Sequence, residues 1–439
     1  MALEAVTKAL KKLTKDDDTS VGSEPQYFCV EDSFLSKDVC VSVEGVGDIT
    51  FPIDENCIQK LIKVSSKAVF GKGDQTCLDT NIRDSQTIQA NALKVNIKDK
   101  SLAAVLDRIK TGLNIENNCS LEPHLYNLLI YGPGQFFGKH RDSEKIKRMV
   151  ATLVVVLPSH HHGGDLHIEH DGKKHVFFGS QAHEIVKCIA FYPDCRHEIT
   201  KVTQGYRVAL TFNIVLNSPD ILQTVKVDKY LKKAVEDYFG VDHPTRLIFY
   251  MNHSYTKCSL KWSLLKGSDR TRGYALFVVA KHLGLKPCLA LVEHQETYEV
   301  GADYYGDDEL RETSITPYFW VSWNDREFKP HSGFDTGEFD ESEICCTIET
   351  SDLLEPYSTY KEEEPYGNAP TTEDRSYRRA CVVLFRVQDH SPKKRGDKEQ
   401  CLPSQEKETM CNKRNETEIS TIAPKEFYGN VGESGSSRQ

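Results

Sequence analysis

The sequence has 439 residues, 27% of them charged and 39% hydrophobic, with a formal charge of −10 at pH 7. That length suits two domains or one large elaborated one, and no run of eighteen apolar residues exists to cross a membrane as a helix. Net acidity argues against a nucleic-acid partner, which needs a basic face.

Residues 1–25 read as a disordered leader. "MALEAVTKALKKLTKDDDTS" has lysines where a signal peptide needs an apolar core, although Val6, Leu10 and Leu13 could line one face of a short helix. Fourteen cysteines occur without a single C-x-x-C, which reads as reduced thiols in a cytoplasmic or nuclear protein. Short strands ("VCVSVEG", "DITFPI") come next, then a helix over 55–66, a loop-rich stretch "KAVFGKGDQTCLDTNIRDSQ", and a helix over 99–114. From about 120 to 216 the text becomes a run of short strands. "HLYNLLIYG", "RMVATLVVVLP", "GDLHIEH", "KHVFFG", "EIVKCIAFYP" and "YRVALTFNIVL" are each bounded by turn-forming residues. "HDGKKH" carries the Asp-Gly signal of a tight hairpin. Evenly spaced short strands point to a sandwich or barrel.

After 217 the pattern is mixed. Tyr230, Leu231, Ala234, Val235 and Tyr238 mark an amphipathic helix, "TRLIFYM" a strand, and "RGYALFVVAKHLG" a buried helix stopped by Gly284. "CLALVEH", "YFWVSW" and "RACVVLFRV" are further strands, separated by acidic loops. The span 389–439 is polar and poor in aromatics, hence a disordered tail. "PKKR" within it is a solvated cluster or a nuclear-import patch.

The chemistry-bearing stretch is "YGPGQFFGKHRDSEK". A lone H-x-D is weak, since about one such pair arises by chance at this composition. On a strand, however, residues two apart face the same way, so His140 and Asp142 can share a target. His197 in "FYPDCRHEITKV" can reach it from a second strand. Two imidazoles and one carboxylate on one face of an octahedron suit Fe(II) and leave positions open for a 2-oxo acid and O2. Arg207 interrupts the apolar run "YRVALTFNIVL", and a buried guanidinium requires an anion. It can pair with the distal carboxylate of 2-oxoglutarate. Thr211, four residues further along that face, can add a hydroxyl donor.

Rival ligands are present. His167 and Glu169 share a strand face, but the hairpin turn follows directly. His160 to His162 follow Pro158, where surface histidines are expected, and His294 with Glu296 lacks a third ligand downstream. A zinc site lacks paired cysteines or HExxH.

With "IYGPGQFFGKHRD", "TLVVVLPS…GGDL" and "AFYPDCRHEITKVTQGYRVALTFNI" in view, the sequence resembles the prolyl-4-hydroxylase type of 2-oxoglutarate/Fe(II) dioxygenase. The resemblance implies a mixed α/β (α+β) fold with a double-stranded β-helix (jelly-roll) core and supporting helices. It implies hydroxylation with release of succinate and CO2, and ascorbate as reductant. His140, Asp142 and His197 match the family's iron ligands, and Arg207 its 2-oxoglutarate anchor. Tyr131 matches a tyrosine that lines the cosubstrate pocket, or is simply core. Phe137 replaces a second tyrosine, so a hydroxyl contact there is lost. More loosely, residues 26–388 are similar to a wider set of eukaryotic proteins through "VFGKGDQTCLDTNIRDSQ", "LLKGSDRTRGYA" and "YGNAPTTEDRSYRRACVVLF".

The expected organisation is therefore a dioxygenase domain over 26–216, motif-bearing over about 120–216, followed by an α+β region over 217–388 packed on it. The substrate expected is a protein, through a prolyl or other side chain, or a small molecule. Two alternatives stand beside the enzyme reading. One is an inactive β-helix scaffold that binds a protein partner. The other is a nucleic-acid demethylase, which net acidity disfavours. The sequence is silent on oligomeric state.

Overall fold

The computed structural model describes residues 2–13, 28–72, 75–179, 184–217, 226–240, 244–300, 309–327, 337–347, 359–363 and 371–386. The expected tail, the "PKKR" patch and most of the leader lie outside these residues. The fold is mixed α/β, dominated by sheets, with helices α1 (Ala2–Lys12), α2 (Glu55–Val64), α3 (Asp99–Gly112), α4 (Lys229–Gly240) and α5 (Gly267–His282). Among the described residues no helix is long and apolar enough to cross a membrane.

Two antiparallel sheets carry the centre of the first half. A seven-stranded sheet runs in the order Cys29–Leu35, Ile185–Phe191, Met149–Leu157, Arg207–Asn217, Ser120–Tyr131, Gln86–Gln89, Ser66–Lys67. A five-stranded sheet runs Lys173–Phe177, Leu166–His170, Arg196–Ile199, Phe136–His140, Arg83–Asp84. Strand Met149–Leu157 is buried at every position, which suits its β-branched run in the middle of the larger sheet. The expected hairpin is present. Leu166–His170 pairs with Lys173–Phe177, and Asp171 and Gly172 take φ of 48° and 70°, the left-handed pair a tight two-residue turn requires.

The second half builds a six-stranded sheet in the order Glu309–Val321, Lys286–Val300, Thr371–Phe385, Arg246–Tyr250, Ile344–Cys345, with Thr359–Glu363 also paired to Thr371–Phe385. Its long strands extend well past the apolar runs that announce them. Cross-strand partners such as Glu293 and Arg378, 3.4 Å apart, carry the pairing into polar sequence. Helix α5 is buried on all sides, Asp269, Arg270 and Arg272 included. It starts five residues before the apolar run, and Gly284 (φ 71°) follows its end. The described residues up to 386 belong to one compact unit, with a large hydrophobic cluster from Val6 to Leu384 and a second, smaller one on the second-half sheet around Ile248, Trp320 and Phe385.

The expected leader is in part a docked helix. Residues 2–12 form α1, whose Val6 and Leu10 are fully buried and which packs on α4. The apolar spacing of Val6 and Leu10 is enough once a second amphipathic helix, with Leu231 and Val235 buried, offers a partner face. Leu10→Ala is expected to cost about 2–5 kcal/mol, the usual range for a buried leucine. An unfolding midpoint in urea equal to that of the unaltered protein would show that α1 is not docked.

Candidate metal centre

His140 and His197 stand directly opposite each other on neighbouring antiparallel strands. Their rings lie 4.1 Å apart between centroids. Each ring is tied at Nδ1 to the carbonyl two residues before it, His140 to Gly138 at 2.9 Å and His197 to Cys195 at 3.0 Å. A carbonyl only accepts, so the proton sits on Nδ1 and the lone pair on Nε2. Both Nε2 atoms lie 3.7 Å from Oδ1 of Asp142. Asp142 is fixed in turn by its own N–H, which donates to Pro193 O at 2.9 Å, and by the Thr152 hydroxyl, which donates to Oδ2 at 2.7 Å. Two imidazole lone pairs and one carboxylate oxygen thus converge within 4.8 Å of one another. Main-chain ties on both rings and a hydroxyl on the carboxylate are the supporting contacts a divalent-metal site needs.

The electrostatics agree with that fit. Burial, and then His197 as neighbour, push His140 down to about 3, so it is a neutral donor. Burial alone raises the Asp142 carboxyl, but the two histidines and Thr152 together bring it below its ordinary value. Phe137 stacks on His140 with centroids 3.5 Å apart, and the Arg83 guanidinium lies 4.3 Å from the Phe137 ring.

The three donors line a pocket between the two sheets, about 680 Å³ with its open mouth included. Arg207, 2% exposed, lines the same pocket. Its strand position is opposite Tyr131, whose ring its guanidinium faces at 5.7 Å. Among the described residues no carboxylate forms an ion pair or hydrogen bond with Arg207; burial lowers its hold on the proton, and Tyr131 and the charge of Asp165, further off, offset this only in part. Gly164, at φ 72°, lies against it, and a Cβ there would come within 2.9 Å of Arg207 Cδ. Thr211 also faces the pocket, but its one hydroxyl proton goes to Asn127 Oδ1 at 2.5 Å, so it is not the free donor that the sequence suggested.

Residues 126–215 match the family model of the 2OG-Fe(II) oxygenase superfamily. No match was found among the curated proteins. Among solved structures, a Pseudomonas putida prolyl-4-hydroxylase is 18% identical over 47% of this chain and 98% of its own, with a TM-score of 0.28. A Trichoplax adhaerens prolyl hydroxylase, solved with a hypoxia-inducible-factor peptide fragment, is 13% identical over 48% and 91%, with a TM-score of 0.25. A viral collagen prolyl hydroxylase from Paramecium Bursaria Chlorella virus-1 is 18% identical over 36% and 83%, with a TM-score of 0.22.

The six residues that the sequence singles out, His140, Asp142, His197, Arg207, Tyr131 and Thr211, all line this pocket. The rivals fall elsewhere. His167 bonds Glu198, away from the three donors. His294 and Glu296 are buried on the second-half sheet. His161 departs from expectation, because it is 3% exposed on the short strand His161–Gly163 rather than on a surface loop. Its neighbours His160 and His162 are exposed. Arg141, between the ligand candidates, is not among the pocket residues and has Asp194 and Arg196 as its charged neighbours. Three contributors escape a reading of the sequence: Thr152, Asn127 and Arg83. For Thr152 a usable signal exists, the lone hydroxyl inside "ATLVVVL".

Thr152→Val keeps the side chain's shape but removes the donor to Asp142, and is expected to lower affinity for Co(II) or Fe(II) about 10-fold. Calorimetric titration giving unchanged affinity would dismiss that role. A second expectation concerns pH. The folded His140 holds its proton less tightly than the unfolded one, whose pKa is about 6.5. Stability it contributes above that pH is lost as pH falls from about 6.5 towards about 3. In chelator, His140→Ala should therefore flatten the fall of Tm between about pH 6.5 and 5, and parallel slopes would refute it.

Proposed function

We propose that this protein is an Fe(II)/2-oxoglutarate-dependent hydroxylase built on a double-stranded β-helix. Its substrate in this reading is a protein, through a prolyl or other side chain, or a small molecule. His140, Asp142 and His197 hold the iron. Arg207 takes the distal carboxylate of 2-oxoglutarate, with Tyr131 and Thr211 beside it. The observation that carries the reading is the buried Arg207 guanidinium, without a carboxylate partner among the described residues, in the pocket that also holds the three donors. A cation so placed has lost its water and calls for an anion from outside.

Bound iron supplies oxidative decarboxylation of the 2-oxo acid and, from it, the oxidant for a C–H bond, with O2 as co-reactant. The chain's own residues supply placement. Gly138 and Cys195 carbonyls fix both imidazole tautomers, and Thr152 turns the carboxylate towards them. Arg207 offers a planar fork to a carboxylate at the buried side of the pocket, which sets the cosubstrate's direction. Phe137 contributes an apolar stack on His140 in place of a hydroxyl.

The test is succinate release from 2-oxoglutarate with Fe(II) and ascorbate, in the absence of any substrate. Slow release is expected, and it is abolished in His140→Ala and in Asp142→Ala. Arg207→Ala should weaken 2-oxoglutarate binding at least about 10-fold while metal binding stays unchanged, as expected for loss of a charged bidentate contact. A protein that releases no succinate and binds no 2-oxoglutarate under anaerobic Fe(II) is instead the non-catalytic scaffold.

A further inference from the structure

Two of the three donors of the candidate site depend on one short loop, and that loop is held by the second half of the chain. Pro193 O accepts the Asp142 N–H, and Cys195 O accepts His197 Nδ1–H. The side chains that alternate with these carbonyls, Tyr192 and Asp194, are bound to other partners. The Tyr192 hydroxyl donates to Leu113 O at 2.6 Å and accepts the Gly267 N–H at 2.9 Å. Asp194 Oδ1 accepts from Lys266 Nζ at 3.0 Å. Its Oδ2 accepts the Ser254 N–H at 2.9 Å and faces His253 Nδ1 at 3.0 Å. Gly267 opens α5, and Lys266 immediately precedes it.

The grip is itself braced. Asp269, in the first turn of α5 and fully buried, accepts the N–H groups of Asn252 and His253 and the Tyr255 hydroxyl. The Tyr255 hydroxyl also accepts the Lys266 N–H at 2.8 Å. Every contact in this chain of bonds lies in buried or nearly buried structure, where a bond is not diluted by water.

The same place offers a second set of metal-like donors, His170, Asp194 and His253. A cation is already there. Lys266, its side chain 3% exposed, sits on Asp194 and also donates to Ser254 O at 2.9 Å. Burial opposes ionisation of Asp194, but Lys266 and His253 more than offset it and hold the carboxyl well below the usual range. Around Asp194 the cluster is a closed internal ion pair, while His170 Nε2, 3.5 Å from Asp171 Oδ2, is buried without a hydrogen bond among the described residues.

We infer that Asp194, Lys266 and Tyr192 are positioning residues for the metal centre, through which the second half of the chain sets the geometry of its ligands. The inference rests on the proposed metal role of His140, Asp142 and His197. It gives the second half of the chain a part in the site. Helix α5 and the Asn252–Tyr255 loop fix the height of Pro193 and Cys195, and those carbonyls fix a carboxylate and an imidazole.

Co(II) is the probe, read by calorimetric titration and by its visible ligand-field absorption on the full chain. The unaltered protein is expected to take up one Co(II), with His140→Ala removing it. Asp194→Asn, which keeps the shape but loses the charge, should lower Co(II) affinity about 10-fold, the scale for an outer-shell partner. It should also shift the absorption band. Tyr192→Phe removes only a hydroxyl and should weaken binding in the same direction. It carries the test if Asp194→Asn does not fold, judged by far-ultraviolet circular dichroism. Lys98→Met, which breaks a distant surface pair with Asp38, is the control and should leave both readouts alone. If folded Asp194→Asn or Tyr192→Phe binds Co(II) with unaltered affinity and spectrum, the inference is overturned while the metal site stands. If the unaltered protein binds no Co(II), or His140→Ala binds it equally well, the metal site falls and the inference with it. Two Co(II) per chain, the second lost in His170→Ala, would overturn the closed ion pair.

Discussion

The constraint on which the site rests is the register that sets His140 opposite His197. Antiparallel neighbours bring two side chains to within a few ångströms on one face, and slipping either strand by one residue would turn its histidine to the other face. The carbonyl two residues back then fixes each ring's rotation and tautomer. With both lone pairs set by the backbone, only the carboxylate needs side-chain help, and Thr152 gives it. His161 shows what is insufficient. It makes the same tie, to Ser159 O at 3.1 Å, and is buried, but among the described residues no partner completes its Nε2.

Buried cations divide the structure into two kinds of place. Lys266 is satisfied from within, by Asp194 and a backbone carbonyl. Arg246 is likewise paired, with Glu343 at 2.7 Å. Such charges hold parts together at the expense of desolvation. Arg207 differs, since its burial is as complete but no carboxylate among the described residues bonds it directly, the nearest charge felt being Asp165. That contrast, between a charge closed on itself and one left open to a pocket, separates a structural cation from one placed for a ligand.

Much of the first half is legible because its signals are local. "HDGKKH" contains the turn it forms, and the strand run from 120 to 216 follows its apolar spacing. The donor set is legible for another reason: residue types that are costly to bury recur on predicted strands, as His140, His197 and Arg207 do, whereas Asp142, expected on the same strand as His140, lies two residues past its end and reaches the site from the following loop. What escapes is what depends on distant partners. Helix α1 looks like a polar leader until α4 is beside it. His161 looks exposed until the chain folds back to cover it. The polar ends of Lys286–Val300 and Thr371–Phe385 read as loop because their pairing partners lie far away along the chain. Lys266 and Asp194 are invisible, since nothing in either segment names the other.

Helix α5 carries one more consequence. Most buried helices are held at a given rotation by an apolar stripe, and α5 has none, being buried all round. What selects its angular setting is a set of keyed polar contacts: Asp269 to the Asn252–Tyr255 loop and Arg272 Nε to Leu10 O at 3.4 Å. Adding or deleting one residue there would rotate those keys by about 100°, at about 3.6 residues per turn, without changing the helix's hydrophobicity. Substitutions among its apolar residues that keep volume should be tolerated far better than any change of length. In this helix, the phase of the polar residues carries the information.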